Sequence, residues 1–286
     1  GNMNALLNER SLCGQFDDIY SFLDSVKPVI RCIELIHENS DIAIYKTADF
    51  YDCKVTKDER LCDLAKYKLT DELLRLKISL DREVYEEPYW DDEPIHNISK
   101  KFFWNDEDVS ATSLAEAAIK GDVLLSFFLE IFKDKKLTIL NEDNIYLVDS
   151  VHTPRYLVEN YLSHLHINRK GYLQILYEDT RIDCSTMEDG YDAEILQKHE
   201  FEGLIKSFDK FVQHESWESI ALDDGLEYKK YTPAEKKKNW FLGKKYSGKT
   251  IMKFRFSGVM RCFGYRKGDR FRVLRLERDH TVSDNG

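Results

Sequence analysis

Apolar residues recur at three- and four-residue steps over 16–38. Phe16, Ile19, Tyr20, Leu23, Val26, Ile30, Ile33 and Ile36 form a stripe that predicts an amphipathic helix. Pro28 falls inside it and is expected to kink or divide the helix, because proline removes a backbone donor and clashes with the preceding turn. A short β-rich run follows at 42–46. Leu61, Leu64, Ala65, Leu69, Leu73, Leu76 and Leu80 then predict a second helix over 58–84.

Ser113-x-x-Glu116 has the form of a helix capping box, and the apolar run 123–132 behind it suits a buried helix. Residues 137–140 and 145–148, separated by four polar residues, predict a β-hairpin. Pro154 is placed to open a helix to residue 166, 172–177 reads as a strand, and helical spacing returns over 191–217. After the break at Asp223-Asp224-Gly225, three strands are expected at 250–256, 259–266 and 270–278, the last two joined by Lys267-Gly268-Asp269. In the first, Lys253 and Arg255 alternate with Phe254 and Phe256. In the third, Arg270, Arg272, Leu274 and Leu276 oppose Phe271, Val273 and Arg275, with the alternation weakening at Val273-Leu274 as at a bulge or a strand buried on both faces.

This pattern predicts an α+β protein: a large, mainly α-helical acidic domain with short strands over 1–222, then a small basic antiparallel β-sheet unit over 223–286. The length, 286 residues with 42% hydrophobic content, suffices for two domains. No apolar run reaches membrane-spanning length and no leader is evident, so a cytoplasmic location without membrane contact is expected. Six cysteines without a C-x-x-C pair read as reduced thiols.

Charge sharpens the division. Residues 228–280 hold 17 Lys/Arg against 4 Asp/Glu, whereas 1–227 hold 25 against 47. Such a segment either presents a basic surface to a polyanion or folds onto its own acidic body. Lys229-Lys230, Lys236-Lys237-Lys238 and Lys244-Lys245 are interleaved with Tyr231, Trp240, Phe241 and Tyr246, the mixture of cations and stacking rings used on nucleic-acid-binding surfaces. Thr232-Pro233 resembles a helix start that would set the lysines along one exposed face. Together with Lys253, Arg255 and Arg272 on the strands, Lys236, Lys237, Lys238, Trp240, Lys244 and Lys245 are the candidate contacts.

The loop 85–108 combines Tyr89, Trp90, Phe102, Phe103 and Trp104 with eight Asp/Glu and two prolines. Its rings either anchor it to the core or, through Trp90 and Trp104, form a surface for a protein partner. Three smaller constellations stand beside it. His164-x-His166 lacks accompanying ligands, so no metal is assigned. Asp223 or Asp224 with Glu227-x-Lys229 imitates a nuclease motif at too short a spacing, and Glu34 lies one helical turn from His37. No G-x-G-x-x-G, P-loop or G-x-S-x-G occurs, so no cofactor is implied. Gly258, Gly264 and Gly268 read as turn and bulge glycines.

The segment 253–280 resembles the C-terminal core of the RelE/ParE-type toxin superfamily. The resemblance rests on F-x-F-x-G-x-x-R at 254–261, R-C-F-G-Y-R-x-G-D at 261–269 and F-R-V-L-R-L-E-R-D-H at 271–280. It implies an RNA- or ribosome-directed, metal-independent endoribonuclease of a toxin-like or phage-defence kind. Arg255 and Arg261 would then hold phosphate, Arg275 would neutralise developing charge, and Tyr265 or His280 would move protons. The family is small and basic, whereas this chain adds an acidic domain of more than 200 residues, either a fused inhibitory partner or a different scaffold. The competing expectation is a non-catalytic interaction module whose acidic domain neutralises the basic sheet. Oligomeric state is left open.

Overall fold

A computed structural model describes residues 2–142 and 144–279 and divides the chain into two compact units, Gly1–His166 and Ile167–Gly286. The protein is α+β, with one mixed sheet in each unit.

The first unit holds helices α1 (Ile19–Ser25), α2 (Lys27–Asn39), α3 (Asp71–Tyr85), α4 (Ser113–Lys120) and α5 (Pro154–Tyr161). Its strands are β1 (Ala5–Leu7), β2 (Ile44–Tyr45), β3 (Phe103–Trp104), β4 (Glu107–Asp108), β5 (Val123–Leu125), β6 (Lys135–Asn141) and β7 (Asn144–Val151). They form one sheet in the order β2-β1-β5-β7-β6-β3-β4, parallel from β2 to β7 and antiparallel beyond. Helix α4 buries Leu114, Ala115, Ala117 and Ala118 in the same cluster as Leu6, Leu124, Leu137, Ile139 and Val148. The predicted first helix divides at Val26, with Pro28 in the first turn of α2, where its missing N–H has no helical acceptor to lose.

The second unit holds α6 (Arg169–Leu176), α7 (Lys198–Gln213), α8 (Trp217–Ala221) and the strands β8 (Ile182–Asp183), β9 (Lys229–Lys230), β10 (Met252–Phe256), β11 (Met260–Lys267) and β12 (Arg270–Glu277). The sheet order is β8-β12-β11-β10-β9, and only the β8–β12 pair is parallel. Phe208 and Phe211 of α7 pack on Phe254 and Phe271, with ring centroids 5.0–5.9 Å apart where they meet. The unit boundary therefore lies between His166 and Ile167 rather than at the composition change near residue 222. The acidic residues 167–227 supply a strand and the covering helix of the basic sheet.

Several predicted elements change type. The run 123–132 contributes strand β5, paired on both sides and buried at all three positions, and continuous apolarity cannot distinguish such a strand from a buried helix. Residues 172–176 lie in helix α6, with Tyr177 as its C-cap, and Asn168 caps its start by accepting the Gly171 N–H. The predicted 58–84 helix keeps only its second half as α3, capped by Thr70. Glu116 closes no capping box, because its carboxylate accepts the N–H groups of Ile95 and His96 instead. The lysine segment forms no α-helix, only two 3₁₀ turns at Lys236–Lys238 and Lys244–Tyr246.

Candidate nucleic-acid interface

The three C-terminal strands form the expected meander, and the weak alternation marks a bulge. Phe263 pairs with Arg275 while Gly264 pairs with Val273, so Leu274 is the extra residue. A Cβ at Gly264 would lie 2.1 Å from the Arg272 carbonyl oxygen, so only glycine fits. The bulge also reverses the side-chain sides beyond it. Arg275 joins Arg272 and Leu274 on one face, whereas Leu276 turns to the face of Phe271 and Val273.

The cationic face thus carries Lys253, Arg255, Arg261, Arg272 and Arg275, but it is not open. Tyr231, Phe241, Tyr246 and Ile251, from the lysine-rich segment itself, form a buried cluster with Phe263 and Leu274, and Trp240 packs against it. Within this cover Arg275 is enclosed. Its Nε donates to Glu188 Oε1 at 2.8 Å, Nη1 to the Trp240 carbonyl at 2.7 Å and Nη2 to Tyr246 Oη at 3.0 Å. Its guanidinium carbon also sits 4.5–5.6 Å from the ring centroids of Tyr191, Trp240, Phe241 and Tyr246. Burial opposes ionisation of Glu188, yet the hydrogen bonds from Tyr246 and Arg275 outweigh it and hold the carboxyl below its usual range.

The other sheet cations are held in the same way. Arg261 is buried and reaches Glu227 at 3.1 Å and the Met260 carbonyl at 3.0 Å. Arg255 Nε donates to the Gly225 carbonyl at 3.3 Å. Arg272 and Arg270 approach Asp183 at 3.7 and 3.8 Å. Lys253 is buried, its ammonium 5.9 Å from the Tyr231 centroid. The neutralising carboxylates come from 183–227 of the same unit, which holds 23 Lys/Arg against 20 Asp/Glu over 167–286.

Arg261 and Arg275, proposed for catalysis from the sequence, are therefore committed to internal partners. Tyr265 is half-buried, with the Lys249 ammonium 5.1 Å from its ring centroid, and His280 lies outside the described residues. Trp90 and Trp104 are buried in the first unit's core. The Trp90 indole donates to Ser113 Oγ at 2.9 Å, and Trp104 stacks on Phe132 at 4.6 Å, so these two rings anchor the loop rather than face a partner.

Most exposed cations over 228–279 are lysines; the exposed arginines are Arg266, whose Nε donates to the Gly268 carbonyl and whose guanidinium lies 4.3 Å from the Trp217 ring centroid, and Arg278, which pairs with Glu200. Lys229 and Lys230 are exposed on β9, the last strand of the sheet, and Lys236, Lys237, Lys238, Lys244 and Lys245 are exposed in the loop beyond it. Lys237 and Lys238 approach Glu235 at 3.5 and 3.9 Å, and Lys245 bonds Glu188 at 3.3 Å. Lys229, Lys230, Lys236 and Lys244 make no ion pair among the described residues. Trp240 is half-buried beside them.

The remaining constellations resolve as structure. His164 contacts Tyr161 and Ser163, and among the described residues no three His, Cys, Asp or Glu side chains converge as metal ligands. His37 bonds Glu83 at 3.0 Å rather than Glu34. One arrangement escaped the sequence reading: His214 lies 3.0 Å from Ser219 Oγ and 2.8 Å from Asp223 Oδ2, the constituents of a hydrolase triad. Ser219 Oγ, however, donates to the Ser216 carbonyl, and Asp223 also accepts from Lys210 and the N–H groups of Gly225 and Leu226. The group clamps the ends of α7 and α8 to the following turn. Its only sequence signal was a His, a Ser and an Asp within ten residues.

No protein-family model, curated protein or solved structure matches this chain. Among the described residues no helix is long and apolar enough to cross a membrane.

Proposed function

We propose that this protein binds single-stranded RNA without cleaving it, through the lysines of β9 and the following loop. The observation that supports this reading is the partition of the cations. Arginines on the sheet face are consumed by carboxylates, carbonyls and aromatic rings, whereas Lys229, Lys230, Lys236 and Lys244 stand in solvent without ion-pair partners. Lysine is a mobile point charge that suits backbone phosphate, whereas the planar arginine fork favours fixed partners such as Glu188. Half-buried Trp240 supplies a ring edge for a base.

A toxin-like ribonuclease reading would require Arg261 and Arg275 to leave Glu227 and Glu188, so binding without cleavage is favoured. The full chain is titrated with labelled oligonucleotide at several salt concentrations. Affinity should fall steeply with salt, with a slope of about 0.7 per phosphate contacted, and the RNA should stay intact. Gln at Lys229, Lys230, Lys236 and Lys244 together should abolish most of that slope. Salt-independent binding, or binding that survives all four substitutions, refutes the reading.

A further inference from the structure

We infer that two copies of this chain associate face to face through the bare side of the β3–β6–β7 sheet. Residues directly opposed across an antiparallel pair share a face, as do residues two apart along a strand. The register pairs Phe103 with Leu140, Leu140 with Ile145 and Thr138 with Leu147. Four large apolar side chains therefore sit together on the side opposite buried Leu137, Ile139 and Val148. They are 40% (Phe103), 42% (Leu140), 69% (Ile145) and 68% (Leu147) exposed. Single exposed apolar residues are ordinary, but a contiguous group across three neighbouring strands marks an interaction site.

The charge around this face selects the occupant. Residues 1–166 carry 19 Lys/Arg against 32 Asp/Glu, so most of their surface repels a like molecule. The rim of the patch is instead balanced: Lys100 bonds Glu142 at 2.9 Å, Lys101 bonds Asp108 at 3.2 Å and Lys136 bonds Asp149 at 3.1 Å. A basic partner would find no net negative charge there, and an acidic one no net positive charge. A second copy related by a two-fold axis meets its own mixture of lysines and carboxylates around a shared apolar centre, the self-complementarity an isologous interface requires. Four apolar side chains form the centre of such a patch, and the rim supplies the rest of the roughly 800 Å² per partner of an ordinary interface.

The test is sedimentation equilibrium of the full chain over a concentration series. The mass should rise from 33.7 kDa toward twice that value, and added salt should not dissociate the dimer. Leu147→Lys should weaken association at least tenfold, and the double variant Ile145→Thr/Leu147→Thr, which keeps β-forming residues on the strand, should do the same with unchanged thermal unfolding. Val259→Lys, at a 56% exposed apolar position in the second unit, should leave the dimer intact. A chain that stays monomeric up to concentrations on the order of 100 μM, or a dimer that survives the double variant, overturns the inference.

Discussion

Arg275 and Glu188 are joined at 2.8 Å beneath a cover of four aromatic rings, and each is about as buried as the other. The pair ties the last strand to a loop 87 residues earlier in the chain. Removing one charge leaves the other desolvated and alone, which costs far more than removing both.

Arg275→Ala should therefore destabilise the protein by about 3–5 kcal/mol, and Arg275→Met combined with Glu188→Gln by clearly less. Urea unfolding followed by tryptophan fluorescence gives both values. Equal losses in the single and double variants would place the cost in packing rather than in the stranded carboxylate.

Gly264→Ala drives a methyl group to 2.1 Å from the Arg272 carbonyl and 2.8 Å from the Phe271 ring, and a cost of about 2–4 kcal/mol is expected as the bulge rearranges. Gly268, at φ +62° in the β11–β12 turn with open space around it, should cost only about 1 kcal/mol on the same substitution. Thermal unfolding of the two variants side by side checks the ranking.

Asp223 sets an acid limit. Burial opposes its ionisation, but hydrogen bonds from His214 and Lys210 prevail and hold its pKa at about 2, below the ordinary value of 3.8. A depressed carboxylate contributes stability that is present above its unfolded pKa and lost as pH falls through the folded one, so this contribution should fade between about pH 4 and pH 2. Asp223→Asn should lower stability at neutral pH by about 1–2 kcal/mol and flatten the acid limb of a melting-temperature profile. An unchanged limb would assign it to other carboxylates.

Glu116 organises the loop before β3. It accepts the N–H groups of Ile95 and His96 and bonds His96 Nδ1 at 2.8 Å; burial works against its ionisation, but these bonds leave its pKa lowered. Glu116→Ala should lower hydrogen-exchange protection at Ile95 and His96 by about tenfold or more, since both donors lose their acceptor. Protection that persists would mean the loop is held by Trp90 and Phe102 alone.

The C-terminal meander was legible because cations alternate with apolar residues along 252–256 and 270–273, and even its bulge showed at Val273-Leu274. The exposure of its arginines was not. A cation at every second strand position reads as a solvent face, yet rings from 231–246 and a carboxylate at 188 can seal that face, and no local period encodes such distant partners. The same limit hid the first unit's sheet, where short buried strands such as Val123–Leu125 carry no alternation. The lysine clusters are exposed, as long flexible ammonium side chains rarely find fixed internal partners, but on 3₁₀ turns and loop rather than on the expected helix.

The parallel pairing of β8 with β12 bears on how the protein is made. Ile182 pairs with Phe271, roughly 90 residues later, and closing so long a loop is slow. On the ribosome β8 waits for the last strand, with the apolar face of α7 uncovered until Phe254 and Phe271 arrive. The second unit can therefore complete its sheet only once β12 has been made, by which time every strand of the first unit has already been synthesised.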